Sequence, residues 1–400
     1  MRGTVSRNKI LLLTVLALVL SGAGFFLSGS QSGAASAVPN SALPVVEAAP
    51  ASQKPDNSKC LGCHAAPGQV LTFPDGGTVS ISVDPEVYDQ GVHNNLACQV
   101  CHVNIAEYPH PEVKAGSAKE YTLQYENTCR QCHPNQAEQF LDSAHAKLAE
   151  QGNENTPICA DCHDPHSQAA IQKEANGDPA PVENAVIAET CAKCHAAIVD
   201  QYRTSVHGQG VFGELNPDVP ACHDCHGIHN ISTARSVEFR LNSPHLCANC
   251  HTRPEIMDKY GISTDVMDTY VSDFHGTTIT LFERTSPELP TNKPVCYDCH
   301  GIHNIMATDD PAKGLQIQEN MLAVCQRCHP DASENFPASW MSHYIASPDR
   351  YPLVYYVQWF YRLFIPGVLG VMGLYVLTDL LRKLGITRRG KAVEEKGTEE

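Results

Sequence analysis

The hydrophobic positions of this chain gather into two runs. Ile10 to Leu20 is the first, weakly extended to Leu27, and Tyr361 to Leu381 is the second. The first follows Arg2, Arg7 and Lys9 and precedes the small-residue stretch Ala35-Ser36-Ala37. That order reads 1–37 as an export signal. An uncleaved anchor fits the same run, which nearly spans a bilayer. The second run is long enough to cross with modest tilt. Its charges, Arg362 and Asp379, lie near its ends, where they can reach the interface. Tyr351, Tyr355, Tyr356, Trp359 and Phe360 crowd before it, and Arg382, Lys383, Arg388, Arg389 and Lys391 follow. An aromatic belt and a basic flank predict an interfacial segment and transmembrane helix at 346–385, with a cytoplasmic tail at 386–400. Everything between the two runs is then outside.

Residues 38–58 are rich in Ala, Pro and Ser without periodicity and read as a flexible linker. Val70–Phe73 and Thr78–Val83 are short β-like runs around Pro74-Asp75-Gly76-Gly77, which predicts a hairpin. Elsewhere helical stretches are short and turn residues frequent. The expected fold class is mostly α with much irregular structure.

Composition changes this picture. Eighteen cysteines and 20 histidines stand against 11 phenylalanines and 2 tryptophans. An apolar core must come from elsewhere, and a large cofactor is the obvious source. The formal charge of -16 disfavours nucleic acid, which wants a basic face.

The dominant signal is repetition. CxxCH occurs nine times, and every cysteine belongs to one copy. The pairs are Cys60 and Cys63, Cys98 and Cys101, Cys129 and Cys132, Cys159 and Cys162, and Cys191 and Cys194. Cys222 and Cys225, Cys247 and Cys250, Cys296 and Cys299, and Cys325 and Cys328 complete them. The motifs end in His64, His102, His133, His163, His195, His226, His251, His300 and His329. A CxxC pair alone suits half a zinc site, a redox dithiol or a haem attachment point. A histidine directly after the second cysteine favours haem: the thiols bond to the haem edge and the imidazole ligates the iron from one face. Zinc would need cysteine pairs grouped in fours at finger-like spacing. No cysteine is left for a structural disulfide. Nine c-type haems are therefore expected.

On these nine motifs the chain resembles the multihaem c-type cytochromes, from Cys60 to His343. The resemblance implies haem attachment on the outer side of the cytoplasmic membrane. It also implies a haem-packed core with little regular structure, here one domain over 59–345.

Eleven histidines lie outside the motifs, and nine of them fall into two patterns. An aromatic residue stands five before His93, His145, His207 and His275, with SWMSH at His343 as a looser fifth. The other pattern, CHxxH, gives His166, His229 and His303, with His110 as a looser fourth. Nine extra histidines in register with nine haems are expected as distal ligands. His223 and His245 are left over. The patterns interleave into four and a half copies, with two motifs in each full copy. A residue three after a proximal histidine lies one helical turn away. It cannot reach the far face of its own haem and should clamp a neighbour, so His303 is expected to clamp the next haem. Gly227 and Gly301 are expected to let backbone approach a porphyrin closely. The aromatics five before the histidines either pack on haem faces or fill the core.

Six-coordinate haem exchanges electrons and has no open site for substrate. The function expected is electron transfer at the outer face of the cytoplasmic membrane, in a single-pass protein with its haem domain on the periplasmic side. Its expected partners are a quinol-oxidising membrane subunit, such as a b-type cytochrome, and a second redox protein. No catalytic residue is assigned. The alternative is an enzyme reducing a small nitrogen or sulfur oxyanion at one five-coordinate haem. The CxxCK motif of the pentahaem nitrite reductases is absent, but His110 and His343 fit their patterns worst. If either failed to ligate, such a site would exist, with His223 and His245 as proton donors. An external wire of haem subunits sits badly with a membrane helix.

Overall fold

The computed structural model describes residues 54–175, 179–340 and 343–384. The export signal, most of the linker and the basic tail lie outside the described residues. The protein is mostly helical. Its one sheet among the described residues is a hairpin of Val70–Thr72 and Thr78–Ser80, antiparallel with Leu71 opposite Val79. It lies where the turn residues predicted it.

From the second onward the motifs alternate between two settings. The third, fifth, seventh and ninth close longer helices: Ala118–Cys132, Pro181–Arg203, Val237–His251 and Gln318–Gln326. The fifth breaks its helix at His195, where φ is -106° and ψ 35°. The second, fourth, sixth and eighth are single turns: Cys98–Cys101, Cys159–Cys162, Cys222–His226 and Cys296–His300. One α-turn suffices because residues i and i+3 share a face. At the second motif the His102 N–H closes the turn on the Cys98 carbonyl, at 2.9 Å.

Such short turns need outside stabilisation, and three use the same device. Asp161, Asp224 and Asp298, directly before the second cysteine, each accept the backbone N–H that precedes the motif. Ile158, Ala221 and Val295 donate, each at 2.7 Å. This satisfies an amide that a helix start leaves without a partner. At the second motif Asn57 substitutes, its Oδ1 accepting from the Cys98 N–H at 3.1 Å.

Side-chain packing is sparse. Among the described residues the cluster of fully buried apolar side chains joins only Leu241, Ile279 and Val295. Long-range order comes from backbone ties that recur with the repeat. Val92 N–H bonds to Gln168 at 2.9 Å, Ala144 to Ile231 at 2.8 Å and Val206 to Ile305 at 2.9 Å. Each tie joins the residue before an aromatic-pattern histidine to the residue two after a CHxxH histidine.

Pro352–Lys383 is a single helix, long and apolar enough to cross a membrane, with none of its apolar window buried. It starts nearer the domain than Tyr361, so Tyr355, Tyr356, Trp359 and Phe360 lie on its first turns. Lys383 and Asp379 form an ion pair near its end, at 2.8 Å.

Candidate haem-ligating histidine pairs

The local fold explains why an aromatic residue and a histidine stand five apart. Tyr88, Phe140, Tyr202 and Tyr270 each accept, at the backbone carbonyl, the N–H three residues on, at 2.9–3.1 Å. The chain reverses there and a new helical turn opens. Ser143, Ser205 and Asp273 cap three of these turns through Ala146, Gly208 and Gly276. The histidine follows two residues after each cap.

The CHxxH histidines reach their places differently. Gly227 and Gly301 end their helices at φ of +80° and +86°, which glycine adopts without strain. A Cβ at either would meet the amide oxygen of Asn230 or Asn304 at 2.7 Å. At these two glycines the structure shows a close approach to an asparagine side chain. The histidine three on is no longer one helical turn away; the chain has turned and carries it elsewhere. In the fourth motif His163 itself is extended, at φ -114° and ψ 116°, to the same effect.

The eighteen patterned histidines meet in nine pairs, each joining one motif histidine to one extra histidine. Numbered by motif, the pairs are His64 with His110, His102 with His166, and His133 with His93. His163 meets His229, His195 meets His145, and His226 meets His303. His251 meets His207, His300 meets His343, and His329 meets His275. Ring centroids lie 5.9–6.4 Å apart in all nine, whereas interplanar angles run from 6° to 70°. Direct ring contact would tie distance to angle. A constant distance with a free angle is the geometry of two rings turning about a common axis.

The pairing has a rule. Aromatic-pattern histidines face the odd-numbered motif that opens the following copy: His93, His145, His207 and His275 meet motifs three, five, seven and nine. CHxxH histidines face the even-numbered motif of the preceding copy: His166, His229 and His303 meet motifs two, four and six. The direction expected for His303 is thereby corrected, since it faces back to His226. His343, grouped by sequence with the aromatic class, behaves as a backward histidine and meets motif eight. His110 alone breaks the rule and meets motif one of its own copy.

Hydrogen bonds fix the tautomer at several rings. His64, His93 and His110 donate from Nδ1 to the carbonyls of Ile81, Pro165 and Pro111, at 2.8, 3.2 and 2.9 Å. A carbonyl only accepts, so Nδ1 carries the proton and Nε2 keeps its lone pair for a metal. Burial pushes the imidazoles of His102, His207 and His300 down to about 4. It lowers His145, His166, His226, His229, His251, His303 and His343 as well. These rings are neutral at pH 7.

None of the eighteen cysteines forms a disulfide. Neighbouring motifs bring them together in sequence order. The first thiols of motifs one and two, three and four, five and six, and seven and eight lie close enough to perturb one another's ionisation. Burial first, with the next motif's thiol contributing after it, raises Cys101, Cys162, Cys225 and Cys299. Those neighbours are Cys129, Cys191, Cys247 and Cys325, so consecutive motifs adjoin from first to ninth.

Among the described residues no group of three or more His, Cys, Asp or Glu is arranged to hold a metal ion. The histidines come in twos, so a metal between them would need further ligands from elsewhere. The leftover histidines lie apart from the pairs' pattern: His245 meets Glu283 at 3.3 Å, and His223 Nε2 is 3.7 Å from Asp224. The rings lying against paired histidines are Tyr125, Phe239, Phe336 and Trp340. The tyrosines of the aromatic pattern point their hydroxyls elsewhere. The Asp caps were missed from the sequence, although CADCH, CHDCH and CYDCH display them. Neither a protein-family model nor a curated protein matches the chain.

Proposed function

We propose that the chain is a membrane-anchored electron-transfer cytochrome carrying nine covalently bound c-type haems. Each iron would be held by one of the nine histidine pairs. The carrying observation is the constant pair separation. Two metal–nitrogen bonds of about 2.0–2.1 Å, with about 1.2 Å from each nitrogen to its ring centroid, put two axial imidazoles about 6.4 Å apart at any relative angle. The observed 5.9–6.4 Å, at angles from 6° to 70°, agrees. Haem brings four nitrogens of its own, which suits histidines arriving in twos. Two thiols beside each motif histidine suit attachment at the haem edge. A haem so bound exchanges single electrons at its edge.

His110 and His343, the two weakest fits to the sequence patterns, both find partners. That favours nine closed sites and an electron carrier over the reductase reading. Sequential contact of the motifs suits hopping from haem to haem. Pro352 begins the apolar helix nine positions after His343, so the eighth and ninth sites belong to the membrane end. A quinol-oxidising membrane subunit is the partner proposed there. A second redox protein is proposed at the end of the first motif, on the periplasmic side.

Low-temperature EPR on the purified oxidised protein, calibrated against a haem count, tests this reading. Nine haems with only low-spin signals are expected. A high-spin signal near one haem per chain, shifted by nitrite or hydroxylamine, would favour the reductase. Absence of covalent haem would end both readings.

A further inference from the structure

The tyrosines of the aromatic pattern make a contact that repeats in register. Tyr270 donates its hydroxyl to the Pro294 carbonyl at 2.9 Å, two residues before Cys296. Tyr88 donates to Leu96, two residues before Cys98, also at 2.9 Å. Tyr202 donates to Pro220, two residues before Cys222. Tyr88 and Tyr270 are buried. Tyr88 also reaches the carbonyl of His93 itself, at 3.0 Å.

The two ends of each bond belong to different sites. Tyr270 leads into His275, which faces motif nine, and its hydroxyl holds the strand opening motif eight. Tyr202 likewise joins sites seven and six, and Tyr88 joins sites three and two. Each hydroxyl therefore spans the joint between an even-numbered site and the odd-numbered site after it. The fourth such joint, between sites four and five, has Phe140 in the same position. There Lys119 ties the opening strand instead, through its Nζ and the Thr156 carbonyl.

Resting on the haem reading above, we propose that Tyr88, Tyr202 and Tyr270 are positioning residues that set the geometry between adjacent haem sites. The hydroxyl bridges the turn that carries one site's distal histidine and the turn that carries the preceding site's thiols. A fixed bond at that point holds the relative placement of two cofactors, which sets both their electrostatic coupling and the ease of hopping between them. Packing alone would need only the ring, as Phe140 demonstrates.

The test uses the full chain in detergent, with haem counted first. Tyr270→Phe and Tyr202→Phe each remove one oxygen atom. EPR-monitored potentiometric titration then reads each low-spin centre separately. The expected result is a change in the potentials or g-values of two centres in each variant, with seven unchanged. The affected couple should differ between the variants: sites eight and nine for Tyr270→Phe, six and seven for Tyr202→Phe. Nine unchanged centres would overturn the role, and so would a shift spread over all nine. A variant that assembles fewer than nine haems would also count against it, since Phe140 keeps its place without a hydroxyl. Failure of the unmodified chain to carry haem would overturn the underlying reading instead.

Discussion

His303 faces His226 across 6.1 Å, and turns away from His300, its neighbour three residues before. The glycine between His300 and His303 makes this possible. Gly301 leaves the helix at positive φ and sends the next histidine back by one copy of the repeat.

Replacing His303 should therefore damage a site it does not adjoin in sequence. His303→Ala is expected to convert one low-spin centre to high-spin, at motif six. Adding Cys222→Ala and Cys225→Ala should abolish that new signal, because the affected haem is then absent. Persistence of the signal in the triple variant would place the loss elsewhere and refute the pairing.

His110→Ala tests closure at the first site. Its loss should expose one sixth position and create a high-spin signal of one haem in nine that binds small anions. The unmodified chain should show no such signal. An identical anion response in both would mean that another site is already open.

Asp298 and Asp224 separate two contributions to stability. Both cap a motif turn, and loss of such a cap costs about 1 kcal/mol. Asp298 also holds Arg240 through two bonds, at 2.7 and 3.2 Å. The pair is only partly buried, so it adds about 0.2–1 kcal/mol. Asp298→Ala should lower the denaturation midpoint further than Asp224→Ala. Equal losses would assign the whole effect to the cap.

Acid should weaken the fold in a defined window. Free imidazoles titrate near 6.5, whereas burial pushes His102, His207 and His300 down to about 4. Between those values the unfolded chain binds protons that the folded chain refuses, so stability falls as pH drops through the window. Metal ligation opposes protonation in the same direction. Denaturant midpoints measured across the window should decline steadily. A flat profile would contradict the burial of these rings.

Much of the site was legible in the sequence, because its parts are local. CxxCH needs one turn of chain, the hairpin needs Asp75-Gly76-Gly77, and the C-terminal helix needs length and apolarity. The two histidine classes were visible as spacings. Which imidazole meets which was not, since the partners of His303 and His343 are fixed by tertiary ties such as Val206 to Ile305. The helical-turn argument for His303 pointed forward, whereas the structure turns it back to His226, because Gly301 had already ended the helix. The tyrosine hydroxyls were unreadable for a similar reason: a ring in a motif gives no sign of where its oxygen will bond.

The pairing rule also bears on how such a molecule can change length. Every internal copy lends one histidine to the copy after it and one to the copy before. A whole copy, two motifs with their two loaned histidines, can therefore be inserted or deleted between others with all obligations met. A single motif cannot, because it would leave a debtor on one side. Growth by duplication then proceeds two motifs at a time, and only His110, which turns on its own copy, departs from the rule.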